Sequence, residues 1–342
     1  MRRRAFLGAA SAGLGMSSLI RPLMAQPSND SARPLNMGIA TTSFMMAWKP
    51  KDTYEFLEHC HALGAAGIQA PINGDLHKIR SRAEKLGMYI EGMVELPDSD
   101  DTSAFEHALQ NAKAVDAVAA RSACLDTRRY ETFASLTDWR NFVAQSERSL
   151  ETAVPILDRY KIPLGLENHK DWTVDEMVVL IKKYSTEYLG VCLDFGNNIS
   201  LLDDPYEVVE KLAPYTVSTH VKNMGVERYT DGFLLSEMAL DQGFLDLPRM
   251  IKMVQQARPN THFSLEMITR DPLQVPCLTD KYWVTFPDRN GRYLARTLML
   301  VQKEQSSQPL PHVAQFSHDA HVRLEEENVV SCLRDARETL KL

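Results

Sequence analysis

The sequence predicts an α/β fold, a (β/α)8 TIM barrel with a C-terminal helical extension. The chain has 342 residues and is 44% hydrophobic, which is enough for the single large core of such a barrel. From about residue 34, strand-like runs alternate with helix-like segments, the order that builds parallel sheets. Eight such units occur, the number that closes this barrel. We therefore expect a barrel over residues 34–304, then a linker and C-terminal helix over residues 305–342.

Four strand–helix units make up the first half of the predicted barrel. The first two helices end at Gly64 and Gly87, because glycine readily takes the left-handed conformation that closes a helix. Pro155 is expected to bend the long fourth helix, since proline removes a backbone hydrogen bond. The predicted strands span residues 36–44, 67–71, 88–95 and 119–125, and the helices span residues 53–63, 76–86, 103–115 and 137–160.

The second half carries clearer boundary signals. Thr173 and Glu176 form a capping box, in which a hydroxyl and a carboxylate bind opposite unpaired amides. An insertion over residues 224–244 is predicted to form a lid. The predicted strands span residues 163–167, 189–194, 217–222 and 262–267, and helices begin at 173 and cover 205–212, 247–257 and 292–302. After a linker over 306–321, a charged helix over 325–340 either packs outside the barrel or forms an interaction tail.

The first 25 residues are predicted to be a targeting segment. Three arginines at positions 2–4 precede an apolar stretch over residues 5–20, which is too short for a membrane span. The run Arg-Arg-Ala-Phe-Leu at 3–7 resembles a twin-arginine export signal, the alternative being a chance basic start. We expect a signal peptide and a periplasmic or secreted protein with no stable membrane anchor.

Composition limits the partners of the chain. The net charge of −7 argues against nucleic acid, which rewards basic patches. Five scattered cysteines without paired spacing do not indicate a disulfide framework. A small-molecule sugar substrate is the expected partner, and a homo-oligomer is compatible with the sequence.

Four side chains that can bind a metal stand at the ends of consecutive predicted strands. Glu167, Asp194, His220 and Glu266 follow one another at intervals of 27, 26 and 46 residues, and one strand–helix unit takes about 30. Taken singly, a carboxylate at such a position is more often a capping group, and a histidine is more often a residue of the core. Together they should converge, because the carboxyl ends of barrel strands meet at one mouth. Three carboxylates repel unless a cation lies among them, so we predict one divalent metal: Mn, Mg, Co or Zn.

The motifs around these residues are Gly-Leu-Glu-Asn-His, Leu-Asp-Phe-Gly-Asn, His-Val-Lys and Leu-Glu. Together they resemble the sugar phosphate isomerase/epimerase branch of the xylose-isomerase-like barrels, over roughly residues 35–300. The resemblance implies one metal held by the four residues, with Glu167 and Glu266 as the catalytic proton-transfer pair. We therefore expect an isomerase or epimerase of a sugar or keto-sugar that forms an enediolate, which a metal stabilises by polarising the substrate oxygens.

Further residues are candidate substrate contacts. His169 follows Glu167 and could bind sugar hydroxyls, or else support a loop turn. Lys222 lies on the same strand face as His220 and could point at the substrate or form a salt bridge to a neighbouring strand. Glu95 ends the third predicted strand, and Arg270 could grip a carboxylate or pair with Asp271 on the surface.

Two positions depart from the family pattern. Ketose epimerases of this family usually carry a His three residues after the metal-binding Asp, where this chain has the candidate substrate contact Asn197. They also usually carry an Arg six residues after the metal-binding His, where this chain has Val226. These two changes are compatible with a sugar acid as the substrate. They are also compatible with a lyase, hydratase or decarboxylase that uses the same intermediate.

Two other functions occur on the same type of barrel. An abasic-site DNA endonuclease requires a three-zinc cluster with additional His ligands, and strands one to four of this chain are predicted to end without a His. A non-catalytic sugar-binding barrel would bind its ligand tightly without turnover. Exchange of solvent deuterium into the substrate separates an isomerase from both.

Overall fold

Eight parallel strands close into a barrel, which confirms the fold class expected from the sequence. The computed structural model describes residues 36–184, 186–306 and 309–342, and the expected signal peptide over residues 1–25 lies outside them. Around the barrel the strands follow the order β1, β10, β7, β6, β5, β4, β3, β2. Their bounds are β1 Met37–Ala40, β2 Gly67–Ala70, β3 Tyr89–Met93, β4 Ala119–Ser122, β5 Leu164–Glu167, β6 Leu189–Asp194, β7 Thr216–Val221 and β10 Phe263–Leu265.

Helices surround the barrel and connect its strands. The capping box predicted at Thr173 is confirmed, because the Thr173 amide donates to Glu176 Oε2 at 2.8 Å and the Glu176 amide donates to the Thr173 hydroxyl at 3.4 Å. The fourth predicted helix continues unbroken through Pro155. The helices are α1 Thr53–Ala62, α2 Leu76–Leu86, α3 Ser103–Ala114, α4 Arg129–Thr132, α5 Leu136–Tyr160, α6 Val174–Tyr184, α7 Pro205–Leu212, α8 Leu247–Ala257, α9 Asp280–Trp283, α10 Gly291–Glu304 and α11 His318–Asp335.

Several predicted boundaries differ from the structure, and three of the differences bear on the mouth of the barrel. The first strand ends at Ala40 rather than at 44, because Thr41–Phe44 turns into a 3-10 helix whose Ser43 hydroxyl donates to Leu265 O at 3.1 Å. The last barrel strand stops at Leu265, so Glu266 follows the strand instead of lying within it. Helix α11 begins at His318, seven residues before the predicted start at 325.

The predicted lid insertion forms a small antiparallel sheet. Strand β8 (Asn223–Tyr229) pairs with β9 (Gly232–Met238), and β11 (Leu273–Val275) pairs with the other edge of β9. The sheet packs against the rest of the core, since Phe233 and Leu235 are fully buried. The insertion is therefore a packed platform that continues directly from β7, and closure over a substrate stays a prediction.

Helix α11 attaches to two loops at the mouth of the barrel. The buried Glu325 carboxylate accepts hydrogen bonds from the backbone amides of Met46, Ala47 and Trp48 at 2.9, 3.0 and 3.0 Å. The side chains of His321 and Asn328 bond to Thr269, in the loop after β10, at 2.7 and 2.9 Å. We call α11 with these contacts the C-terminal clasp. The helix therefore packs on the barrel, one of the two alternatives that the sequence left open.

The part of the chain that the structure describes contains no helix long and apolar enough to cross a membrane.

Candidate metal and substrate site

The four residues predicted to bind a metal come together at the mouth of the barrel. Glu167 ends β5, Asp194 ends β6, His220 lies in β7 and Glu266 follows β10. The pairing of β6 with β7 shifts register between Val191 and Cys192, which sets Asp194 directly beside His220. One ligand atom from each of the four lies within 4.8 Å of all the others, and all four residues are buried. We call this set the strand-end cluster.

A polar network inside the barrel fixes the orientation of His220. The Gln69 amide nitrogen donates to Glu91 Oε2 at 2.8 Å and to Ser218 Oγ at 3.0 Å. Its amide oxygen is therefore the atom that faces His220 Nε2, at 2.6 Å, and it can only accept a hydrogen bond. Consequently Nε2 carries a ring proton in every state, and it is Nδ1 that faces the mouth, where in the neutral ring it presents a lone pair.

The lone pair of His220 faces three carboxylates. Its Nδ1 lies 3.4 Å from Glu167 Oε2, 3.7 Å from Asp194 Oδ2 and 3.3 Å from Glu266 Oε1, and it has no hydrogen-bond partner in the described residues. A lone pair and three anionic oxygens repel one another, and a cation between them removes that repulsion. Three carboxylates and one imidazole suit a divalent ion of the Mg, Mn, Co or Zn type. The residues present therefore fit one divalent metal.

Asp194 is held in place by the turn that follows β6. Its Oδ1 accepts the backbone amides of Gly196 and Asn197 at 2.8 and 2.7 Å. A Cβ at residue 196 would lie 2.5 Å from the sulfur of Met224, so any residue other than glycine there would force the Met224 side chain to move. Asn168 pairs with the backbone of Asp194 in both directions, at 2.9 and 2.8 Å, and therefore positions this ligand.

Each glutamate of the cluster also contacts a cation. Glu167 accepts a hydrogen bond from Arg121 Nε at 2.6 Å, and Glu266 pairs with Lys222, which also lies 2.7 Å from Asp194 Oδ2. Burial alone would raise the pKa of Glu167, but Arg121, together with His220 in the protonated form that it takes when no metal is bound, holds it well below its usual range. Burial opposes ionisation of Glu266 too, but the protonated, metal-free form of His220 and the ammonium of Lys222 outweigh it, so the pKa of Glu266 is lowered as well. Both carboxylates are therefore held ionised.

Two neutral side chains complete the hydrogen bonds of these glutamates. Asn197 Nδ2 donates to Glu167 Oε1 at 2.9 Å, and Thr42 Oγ1 donates to Glu266 Oε1 at 2.8 Å. Asn197 also accepts a hydrogen bond from the buried Lys170 ammonium. The structure thus places the predicted substrate contact Asn197 between Glu167 and Lys170.

The remaining predicted substrate residues differ in whether they contact the strand-end cluster. His169 is half-buried, and burial together with Lys170 lowers its pKa to about 3, so the ring is neutral. Lys222 contacts the cluster directly, in the salt bridge to a neighbouring strand that the sequence left as an alternative. Glu95 is exposed two residues beyond β3 and lines a cavity of about 1030 Å³ together with Arg121.

Arg270 binds a different partner from the one that the sequence suggested. Its guanidinium pairs with Glu237 of β9 at 2.5 and 3.1 Å. The alternative of a surface pair with Asp271 is wrong, because the Asp271 carboxylate accepts the backbone amides of Val313 and Ala314 at 2.6 and 3.0 Å. Arg270 therefore joins the small sheet to the mouth.

Sequence reasoning missed several residues of the site, and four of them illustrate the reason. Arg121 and Gln69 lie inside apolar strands, where a polar residue is itself a signal of an internal partner. Lys170 comes three residues after Glu167, and Glu91 lies in the middle of β3. Only the three-dimensional structure assigns their partners.

Comparison with known proteins gives a consistent picture of the fold. A family model described as a xylose isomerase-like TIM barrel matches residues 57–283. The 3-oxo-isoapionate decarboxylase of Pectobacterium atrosepticum is 27% identical over 197 residues, covering 57% of this chain and 66% of the decarboxylase. The uncharacterised protein YihM of Escherichia coli is 29% identical over 83 residues, 24% of this chain and 25% of YihM. The chain thus spans just under two thirds of the first relative and a quarter of the second.

Solved structures share the fold at low sequence identity. The IOLI protein, crystallised with a zinc atom, has a TM-score of 0.54 at 12% identity, covering 80% of this chain and 100% of that one. The 3-keto-D-glucoside 4-epimerase YcjR of E. coli has a TM-score of 0.51 at 10% identity, covering 79% of this chain and 99% of that one. At such identities the likeness is one of fold.

Proposed function

The chain belongs to the xylose isomerase-like TIM barrel family, and from this we propose that it is a divalent-metal-dependent isomerase or epimerase of a sugar or keto-sugar. The observation that carries the proposal is the strand-end cluster, in which three carboxylates surround the lone pair of His220. YcjR, which shares the fold, is named as an epimerase, so this type of barrel can carry the proposed chemistry.

The residues of the cluster would divide the work. Glu167, Asp194, His220 and Glu266 would hold the metal, which would polarise the carbonyl and hydroxyl oxygens of the substrate and favour an enediolate. In our proposal one of the two glutamates removes a proton from the carbon beside the carbonyl and the other returns a proton, on the opposite face or the neighbouring carbon. Thr42 would keep Glu266 oriented through its hydrogen bond.

Decarboxylation of an oxidised sugar is the second candidate. Arg121 binds Glu167 and Lys222 binds Glu266, and both pKa values are lowered, which weakens these carboxylates as bases. A reaction that reaches the same enediolate by losing carbon dioxide needs no base to remove a proton from carbon. The decarboxylase named among the relatives supports this alternative.

One pair of measurements separates the two outcomes. We expect an isomerase or epimerase to incorporate solvent deuterium beside the carbonyl of a turned-over keto-sugar, with no loss of carbon. A decarboxylase releases carbon dioxide and places deuterium on the carbon that lost it. Failure of every keto-sugar and keto-acid tested to undergo either change, with metal bound, would reject an enzymatic function and favour a binding protein.

The metal site is tested separately by elemental analysis. Asp194→Asn and His220→Ala should each lower the metal content of protein purified from metal-supplemented medium, because each removes one ligand atom. Asp204→Asn is a control of the same chemical type, since this aspartate caps helix α7 instead. Metal content equal to that of the wild type in both cluster variants would contradict the assignment.

We also propose that the protein is exported by the twin-arginine route as a periplasmic or secreted enzyme, on the basis of the arginine-led start of the chain. Replacing both arginines at positions 3 and 4 by lysine should retain the protein in the cytoplasm. Cell fractionation followed by immunoblotting provides the measurement, and unchanged export would refute the assignment.

A further inference from the structure

Four acidic and four basic side chains lie together at the mouth of the barrel, before any metal is counted. The four acidic residues and the four basic residues are mostly or wholly buried. The acidic set is Glu167, Asp194, Glu237 and Glu266, and the basic set is Arg121, Lys170, Lys222 and Arg270. A bound divalent ion would add two positive charges to this set of eight side chains, which favours an anionic substrate.

The basic residues differ in how they are paired. Arg121 pairs with Glu167, Lys222 with Asp194 and Glu266, and Arg270 with Glu237. Those three cations are thus already bound to carboxylates of the protein.

Lys170 is the exception among them. It is only 3% exposed, and its ammonium bonds to the neutral amide oxygen of Asn197. In the residues that the structure describes, no salt bridge joins Lys170 to a carboxylate. A buried ammonium without an anion is costly, and a ligand anion would offset that cost.

The surroundings of Lys170 strengthen this reading. Burial, followed by the positive charges of Lys222 and Arg270, lowers the pKa of Lys170 to about 8. Its partner Asn197 also donates to Glu167, so Lys170 is one side chain removed from the strand-end cluster. An anion bound at Lys170 would therefore lie beside a substrate that occupies the cluster.

We propose that Lys170 binds a carboxylate of the substrate, so that the enzyme acts on a sugar acid in preference to a neutral sugar. This inference rests on the proposed function, because it assumes that the strand-end cluster is where the substrate binds. A carboxylate carries one negative charge, which matches the single unpaired positive charge of Lys170.

A matched pair of ligands tests the proposal. 5-Keto-D-gluconate differs from L-sorbose by a carboxylate in place of one hydroxymethyl group, which lies far from the keto group. Titration calorimetry of the full chain with Mn²⁺ should show that the keto acid binds about tenfold more tightly, the gain expected of one charge-assisted hydrogen bond. Lys170→Met should remove this preference, and Lys170→Arg should keep it, because it keeps the charge.

Controls make the result specific to Lys170. Lys252→Met removes the same charge from an exposed position on α8 and should leave the preference unchanged. D-Fructose 6-phosphate against D-fructose gives the phosphate arm, and a stronger preference there would overturn the choice of a carboxylate. Equal affinity for keto acid and sugar, absence of binding by both, or a preference that survives in Lys170→Met would also overturn the proposal.

The same titrations distinguish its failure from that of the proposed function. Mn²⁺ titrated alone reports on the strand-end cluster. Binding of Mn²⁺ without a preference for the keto acid would overturn only the role of Lys170. A preference that persists without Mn²⁺ would support the role of Lys170, even if the metal site itself were refuted.

Discussion

Two regions at the mouth of the barrel bury carboxylates, and they do so with different partners. In the strand-end cluster, Glu167 and Glu266 meet cations and the lone pair of His220. In the C-terminal clasp, Glu325 meets three backbone amides, which use one of its oxygens twice and the other once. The clasp is thus satisfied within the protein, whereas the cluster leaves a nitrogen lone pair without a partner. The difference teaches that burial of a carboxylate indicates function only where its surroundings are left incomplete.

Substitutions in the strand-end cluster should have the largest effect, and this effect should be on turnover. Glu167→Gln and Glu266→Gln keep the shape of the side chain but remove the charge that moves protons and binds metal. We expect turnover of an identified substrate to fall by about 10³-fold in each, the scale of general acid–base catalysis. Circular dichroism should show a folded protein. Wild-type activity in both variants would reject the assignment of this pair.

Removal of the clasp carboxylate should act on stability. Glu325→Ala leaves three backbone amides of residues 46–48 without an acceptor, and we expect a loss of about 3 kcal/mol in the free energy of unfolding. Glu326→Ala makes the same change at an exposed neighbour on α11 and should cost much less. Urea titration measures both. Equal stability of the two variants would show that the clasp is dispensable.

The pH dependence of stability should reveal a third kind of carboxylate, inside the barrel. Burial raises the pKa of Glu91 from 4.5 to about 7, although hydrogen bonds from Gln69 and Ser218 act in the opposite direction. Between these two values the folded state binds more protons than the unfolded state, so this group makes stability fall as pH rises. As the pH rises from 4.5 to 7, the free energy of unfolding of Glu91→Gln should therefore fall by about 2 kcal/mol less than that of the wild type. Parallel pH profiles of unfolding for the two proteins would contradict the expected titration.

The smallest expected effect concerns the support of His220. Gln69→Leu removes the acceptor of the Nε2 proton while every metal ligand stays in place. Loss of such support should lower metal affinity by about tenfold. Competition with a fluorescent chelator measures the change, and Gln274→Leu, at an exposed position on β11, serves as the control. Unaltered affinity in Gln69→Leu would mean that the barrel network does not orient the ring.

The sequence was sufficient for the barrel and for the convergence of its strand ends. Apolar runs that end in Glu167 or Asp194 predict both the strands and the edge at which their side chains meet. The first strand was made too long, because Thr41–Phe44 has strand-like residues but is drawn into a 3-10 helix by contacts with β10. The small sheet was missed because β8 follows β7 with only Lys222 between them.

The partners of individual charges could not be predicted in the same way. Lys170 and Arg270 are ordinary charged residues in loops, and their difference in pairing depends on Glu237 of β9. Glu325 bonds to amides 277 to 279 residues earlier in the chain, a separation that no local pattern encodes. Electrostatic partners are set by packing, and packing follows only once the chain has closed on itself.

The clasp also has a consequence for biosynthesis. A ribosome exposes the chain from its amino end, so the loop at residues 46–48 is available long before Glu325 has been translated. The amides of residues 46–48 stay hydrogen-bonded to water until α11 emerges. Thr42, which orients Glu266, belongs to the same stretch of chain. The mouth of the barrel would therefore be completed only after α11 has left the ribosome, which would delay a complete site until that helix has been made.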